Sequence, residues 1–482
     1  MTLIETRPEA PQDEVPPLYA NRVKVYPKAV GGPFRWLKWA VLSLCLAVYY
    51  LAPWLRWDRG PGHPDQALLI DMPARRAYFL WIEIWPQEVY YLTGLLILGA
   101  IGLFLVTSLL GRVWCGYACP QTVWTDLFMW VERLIEGDRN ARIRLDKEPL
   151  TAGKLGRKAL KHALWLAIAA LTGGAWVMYF NDAPTLARDL VALDVSTGVL
   201  FFAGLFTFST YLLAGWAREQ VCTYMCPWPR FQAAMFDRDT LIVTYEAWRG
   251  EPRGKHRKDA AAQSLGDCVD CGQCHQVCPT GIDIRDGQQL ECIGCALCID
   301  ACNAVMKKVG LPPNLIAYDT TANQEARARG GAVQWRPVRP RTMIYAALLL
   351  IVGAVMLVAL GLRSTLDINI LRDRNPLFVT LSDGSIRNGY TIKILNKARA
   401  ERSFTLTAQG LPAGEMQVAG REGWGGPAQL TVKPDTVGTF RVFLRAPRAS
   451  LKGDSLPIGF ALQETATGET AQHASVFVGP DR

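Results

Sequence analysis

Apolar positions follow two different rhythms along this chain. Up to residue 362 they come in runs, at about 36–55, 89–110, 159–180, 197–217 and 342–362. Each run is long enough for a helix to cross a bilayer, which takes about 20 residues. The first follows a long polar stretch without a small-residue cleavage site, so it is expected to be a retained anchor rather than a removed leader. From 363 onward the rhythm shortens to a period of two, as in Tyr390, Ile392, Ile394 and Phe440, Val442, Leu444, with turn signals at Ser382-Asp383-Gly384 and Asn388-Gly389. Strands at that spacing predict a β-sandwich. Between 249 and 341 neither rhythm holds, and cysteine dominates instead.

Polar residues between the runs give the expected topology. The loop from Arg112 to Lys161 holds ten Lys and Arg, whereas 181–194 has one basic residue and three aspartates. By the positive-inside rule the first loop faces the cytoplasm and the second the outside. Residues 56–88, with Trp81 and Trp85, are expected to form an exterior loop with an interfacial aromatic belt. Gly94, Gly99 and Gly102 in the second run would let a neighbouring helix approach closely. The organisation expected is a mobile cytoplasmic tail at 1–33, a four-span membrane domain at 34–248, a linker and cysteine-rich domain at 249–341, a fifth span at 342–362 and a periplasmic β-sandwich at 363–482. The linker is basic from Arg249 to Lys258. Half the residues are apolar, which fits a membrane protein with soluble parts. The net charge of +9 is scattered over membrane-flanking loops, so nucleic acid is not an expected partner.

Thirteen cysteines are present, none beyond Cys302. Eight of them read C-x2-C-x2-C-x3-C twice, the spacing of two-cluster bacterial ferredoxins, in which the fourth cysteine of each run ligates the other cluster. Cys268, Cys271, Cys274 and Cys302 are thereby expected to hold one 4Fe-4S cluster, and Cys292, Cys295, Cys298 and Cys278 the second. Short loops with Gly272, Gly294 and Ala296 would leave backbone N–H groups free for the sulfides. A zinc ribbon or disulfide knot fits this order poorly, since zinc sites take four ligands in pairs.

Four more cysteines end the second and fourth runs as Cys115-Gly-Tyr-Ala-Cys119-Pro and Cys222-Thr-Tyr-Met-Cys226-Pro. Spans one and two, and three and four, therefore look like two copies of a helix pair, whose symmetry would bring the four thiols together at the cytoplasmic face. If the helices continue past the membrane, each pair shares one face. Soft thiolates select Cu(I), which makes this a candidate copper and redox site. A disulfide or plain packing are the bland alternatives, and Cys45 inside the first run is read as packing. The histidines, at 63, 162, 256, 275 and 473, are too few for a bis-histidine haem; His275 is expected beside a cluster, and His162 could reach a metal or quinone. Glu83, Glu88 and Asp126 read as loop and interfacial residues rather than proton carriers. No dinucleotide fingerprint or P-loop is present, so electrons must come from a donor protein or quinol.

With these residues in place, the chain resembles the cytochrome c oxidase accessory proteins of the FixG/CcoG/RdxA family along nearly its whole length. The resemblance rests on Trp114-Cys-Gly-Tyr-Ala-Cys-Pro-Gln-Thr-Val-Trp-Thr-Asp, on Cys222-Thr-Tyr-Met-Cys-Pro, on the double cluster motif, and on Asp367 to Lys397. Asn303 after Cys302 departs from the proline usual in ferredoxins. The resemblance implies a role in assembling a cbb3-type haem-copper oxidase in the bacterial inner membrane, by reducing Cu(II) to Cu(I) for a copper-exporting P-type ATPase. Cys115, Cys119, Cys222 and Cys226 would hold the copper. Two other readings remain: an electron-transfer subunit of the quinol dehydrogenase type, and a copper-binding assembly scaffold without turnover. A homodimer could pair the four thiols differently.

The fold expected is thus a polytopic α-helical membrane protein of about five spans, with an inserted bacterial-type dicluster ferredoxin-like domain and a C-terminal all-β immunoglobulin-like sandwich.

Overall fold

The computed structural model describes residues 24–60, 62–255, 265–363, 366–398, 400–451 and 453–480. They form two compact units, divided between Met356 and Leu357. Residues 1–23 of the expected tail, the 256–258 end of the basic linker and His256 lie outside the described residues.

Among the described residues five helices are long and apolar enough to cross a membrane: Pro33–Trp54, Pro86–Leu110, Ala152–Val177 and Thr197–Ala217 in the first unit, and Pro340–Gly361, which runs across the division. Several differ from the expected runs at one end. The third starts at Ala152 because the Thr151 hydroxyl accepts from Lys154 N at 3.2 Å and caps it, drawing a basic turn into the helix. The fourth changes at Tyr211 from α-helix to a wider π-helical coil through Ala217. Spans three and four pack closely, since a Cβ on Gly173 would lie 2.4 Å from Ala203 O. Of the three glycines expected to admit a neighbour, Gly94 meets Met356 and Gly102 faces Leu349, both on the fifth span, while Gly99 meets nothing. No residue in the apolar window of the fifth span is buried, as suits a helix whose solvent is lipid.

Three expectations for this unit change. Residues 56–88 are not only a loop, because Leu68–Asp71, Arg76–Phe79 and Ile82–Ile84 form an antiparallel sheet. Arg59 anchors it by donating to the carbonyls of Pro64, Gln66, Ala67 and Leu80. Residues 24–32 are not a mobile tail: Lys28 N donates to Gln276 O at 2.8 Å, Arg139 holds the Tyr26 carbonyl at 2.7 Å, and Arg142 holds that of Pro27. The cysteine-rich domain also begins before 249, because Ile242–Tyr245 pairs antiparallel with Ile316–Asp319 and closes its two ends.

The second unit is a sandwich of two antiparallel sheets. One has the order Glu415–Val418, Thr436–Ala446, Ile386–Asn396, Leu366–Arg372, with Val379–Thr380 also on Ile386–Asn396; the other is Ala428–Val432, Arg402–Gln409, Ser455–Glu464, Thr470–Val478. The alternating Tyr390, Ile392, Ile394, Val442 and Leu444 face Phe404, Leu406, Phe460 and Leu462 in its core. Asn388-Gly389 is no turn. It lies inside a strand, where Asn388 exchanges two hydrogen bonds with the Val478 main chain, at 2.7 and 3.0 Å.

Candidate redox site

The cysteine-rich segment wraps by means of left-handed residues. Asp270 (φ 52°), Gly272 (φ 63°), Gly294 (φ 67°) and Ala296 (φ 59°) turn the backbone within each cysteine run. The eight cysteines form no disulfide and gather as two sets across the sequence order. Burial pushes the Cys302 thiol up to about 12, and the neighbours that add to this are Cys274, Cys271 and Cys268. Burial likewise pushes Cys292 up to about 12, with Cys295 and Cys278 as the contributing thiols. Cys274, Cys278, Cys292, Cys295 and Cys298 line one cavity. Eight unbridged thiols in two sets of four, five of them lining a cavity walled by Val243, Ile284 and Ile293, fit two 4Fe-4S clusters by donor chemistry. Of the eight, Cys271 is exposed whereas Cys268, Cys274, Cys295 and Cys302 are buried. His275 is exposed on the short helix Gln273–Val277.

The membrane-edge motifs do not continue the spans as straight helices. Gly111 (φ 61°) breaks the second span, Val113–Tyr117 forms a short helix, and Cys119 is extended (ψ 130°) before Pro120 opens the helix Pro120–Glu136. In the second repeat Val221–Met225 is a π-helical turn, and Cys226 is extended (ψ 122°) before Pro227 and the helix Trp228–Met235. The expected shared helical face is therefore absent, because the residue before a proline is pushed out of the α region. The four thiols are still neighbours. Cys222 is pushed up to about 12 by burial and then by Cys119, Cys115 and Cys226. Cys115 is pushed up to about 12 by burial and then by Cys119, and its Sγ donates to Gln232 Oε1 at 3.2 Å. Among the described residues no three His, Cys, Asp or Glu side chains close into a single-ion site.

The first motif is packed directly on the cluster segment. A Cβ on Gly116 would lie 2.9 Å from the carbonyl oxygens of Gly294 and Ile293. Tyr117 donates to Cys295 O at 3.2 Å, Tyr318 donates to Gly294 O, and Arg112 donates to the carbonyls of Leu290, Cys292 and Pro229. Cys115 and Cys222 join one apolar cluster with Val277, Ile293, Cys295 and Cys298. The first span docks on the same segment, since Asp300 accepts from Phe34 N at 3.3 Å and Arg35 N at 2.8 Å.

Helix Pro120–Glu136, which the apolar runs did not reveal, carries a buried ion network. Asp126 accepts from Arg35 at 2.9 Å with Lys38 at 3.9 Å, so it is no loop residue. Glu132 accepts from Arg142 at 2.8 Å and Arg218 at 2.6 Å, and Glu136 pairs with Lys158 and Lys161. Burial pushes the Glu132 carboxyl up, but Arg218, Arg142 and Lys161 outweigh it and hold the group at about 2. The signal for this was three acids at 126, 132 and 136 set among the apolar 127–131 and 134–135. Glu83 pairs with Arg76 at 2.9 Å, and Glu88 accepts from Trp85 N, so both serve the 68–84 sheet and its exit.

Paired cysteine sets docked on the first span, in a chain with five membrane-length helices among the described residues, define a membrane-bound iron-sulfur protein of the redox type. Family models match three parts: a 4Fe-4S dicluster domain residues 217–321, a 4Fe-4S binding domain 92–137, which holds Cys115 and Cys119, and the Ig-like fold at the C-terminus of FixG 356–480. The chain is 52% identical over 461 residues to the nitrogen fixation protein FixG of Rhizobium meliloti, covering 90% of this chain and 88% of that one. It is 49% identical to protein RdxA of Cereibacter sphaeroides (90% and 92% covered) and 48% identical to protein RdxB of the same organism (98% and 99% covered). The chain belongs to the FixG/RdxA family.

Proposed function

We propose that this protein reduces Cu(II) to Cu(I) at the four membrane-edge thiols, supplying copper for a cbb3-type haem-copper oxidase through a copper-exporting P-type ATPase. The observation that carries the reading is the shared packing of Cys115 and Cys222 with Cys295 and Cys298, which sets the candidate copper ligands against candidate cluster ligands. Cys268, Cys271, Cys274 and Cys302 would hold one 4Fe-4S cluster, and Cys292, Cys295, Cys298 and Cys278 the other. When bound, the clusters supply one-electron storage and relay. Cys115, Cys119, Cys222 and Cys226 would bind copper as thiolates, and soft ligands favour Cu(I), which raises the potential of bound copper. Because burial pushes the Cys115 and Cys222 thiols up to about 12, copper entry must displace their protons. Gln232, fixed on Cys115 at 3.2 Å, can accept one of them only as a hydrogen bond, so it orients the thiol rather than taking its proton. Arg112 and Tyr117 hold the Cys115 turn on the 290–295 backbone and so fix the separation across which an electron passes. The arginine-rich 112–161 loop supports a cytoplasmic position for this site.

Anaerobic protein with chemically reduced clusters, mixed with Cu(II), tests the reading. Cluster bleaching should match Cu(I) captured by a specific chelator, and Cys115→Ser or Cys222→Ser should abolish both while cluster absorbance before mixing stays unchanged. Copper bound beside clusters that stay reduced would replace the reductase with a scaffold.

A further inference from the structure

A cavity of about 410 Å³ opens at the end of spans three and four that carries Cys222, and the copper chemistry does not use it. Its wall holds His162, Trp165 and Trp216 among charged groups. The His162 ring is fixed on three sides: Tyr211 Oη is 2.9 Å from Nδ1, Trp165 meets it edge-on at 5.2 Å, and Trp216 lies nearly parallel at 5.9 Å and 22°. That leaves Nε2 as the second hydrogen-bonding atom of the imidazole. The cations of the wall are already matched. Lys161 lies 2.9 Å from Glu136, Lys158 2.6 Å and Lys24 2.6 Å from Asp146, and Arg218 2.6 Å from Glu132. A wall so balanced has little to offer an anion and favours a neutral, planar ligand that stacks and hydrogen-bonds.

Two further observations give that ligand a class. Phe208, Leu212 and Trp216, spaced by four on the fourth span, are 62%, 41% and 54% exposed, an apolar strip running from the cavity along the lipid-facing side. Arg218 and Glu219 also line a second, smaller cavity, whose wall includes Cys222, Ile293 and Thr280. The Thr280 hydroxyl is 3.3 Å from Cys278 Sγ. The cavity thus adjoins lipid on one side and the redox centre on the other.

We propose that this cavity binds the headgroup of a membrane hydroquinone and oxidises it, making the lipid pool the electron source. The idea rests on the copper reading above for its oxidant. One hydroquinone breaks two O–H bonds and gives up two electrons, two Cu(II) ions take one electron each, and the products are quinone, two Cu(I) and two protons released to water at the cavity mouth. His162 accepts a hydrogen bond from one ring hydroxyl and Trp216 stacks on the ring.

The test uses the full protein in lipid nanodiscs. An azidoquinone is photolysed with it, without copper, and the label is mapped by mass spectrometry. Label is expected on the 208–219 and 158–165 peptides, displaced by decylubiquinone, and reduced roughly tenfold in His162→Leu and Trp216→Ala, about the effect of one lost ring or hydrogen-bond contact. In parallel, anaerobic decylubiquinol should yield two Cu(I) for each hydroquinone consumed. Label on other peptides only, or undiminished in both variants, overturns the site. Dithionite driving Cu(I) formation where decylubiquinol does not, with no displaceable label, overturns the donor while leaving the copper reading intact. If dithionite fails as well, the copper reading falls, and the label map still decides whether the cavity takes a quinone.

Discussion

Glu132 shows how much of the membrane-edge structure rests on single charges. Its carboxylate is 2% exposed, and three cations, Arg142, Arg218 and Lys161, converge on it from separate elements. Its pKa in the folded protein, about 2, is below the ordinary 4.5. A lowered folded value means that the stabilisation is complete above about 4.5 and is lost as pH falls through about 2. Denaturation midpoints in detergent, followed from pH 7 downward, should therefore decline across that window. Glu132→Gln should remove that part of the decline and lower the midpoint at pH 7, since breaking one side of a buried pair costs roughly 3–5 kcal/mol. Unchanged stability at neutral pH in that variant would show that the cations find other partners.

Among the elements, the short helix Val113–Tyr117 matters most, because its Gly116 lies against the backbone of Ile293 and Gly294. Gly116→Ala would push a methyl into two carbonyl oxygens 2.9 Å away and cost about 1–3 kcal/mol. The expected result is a protein whose clusters are lost faster to an iron chelator, measured by decay of cluster absorbance, with five intact spans by circular dichroism. Gly111 and the Cys-Pro pairs also explain why this element was hard to read from sequence. Apolar runs and cysteine spacing made the five spans, both cluster motifs and the sandwich legible, since each has its own period. The two Cys-x-Tyr-x-Cys turns have none, and the shared-face expectation failed on backbone that proline holds extended. Asn388-Gly389 misled for a related reason, because its turn propensity is overridden by the Asn388 bonds to Val478. The ion network on Pro120–Glu136 stayed hidden because its partners Arg35, Lys161 and Arg218 are distant in sequence.

On the scale of the whole molecule, two units hold their cores by different means. The sandwich, from Leu366 on, has no cysteine and closes on an apolar core with Asn388 and Tyr390 bonded across the sheets, whereas the cysteine-rich domain packs thiols into its core. Calorimetry of the full chain should give one transition lowered by iron chelation and one that chelation does not move. A single transition that shifts as a whole would show that the sandwich depends on the clusters. The Asp300 contact carries a separate consequence for biogenesis. This carboxylate, between Cys298 and Cys302, caps the first span 265 residues upstream by accepting from Arg35 N. The first span to leave the ribosome thus stays uncapped until the segment bearing the last cluster ligand has been made and wrapped. The start of the first span and the segment bearing the last cluster ligand therefore close in one step, late in synthesis.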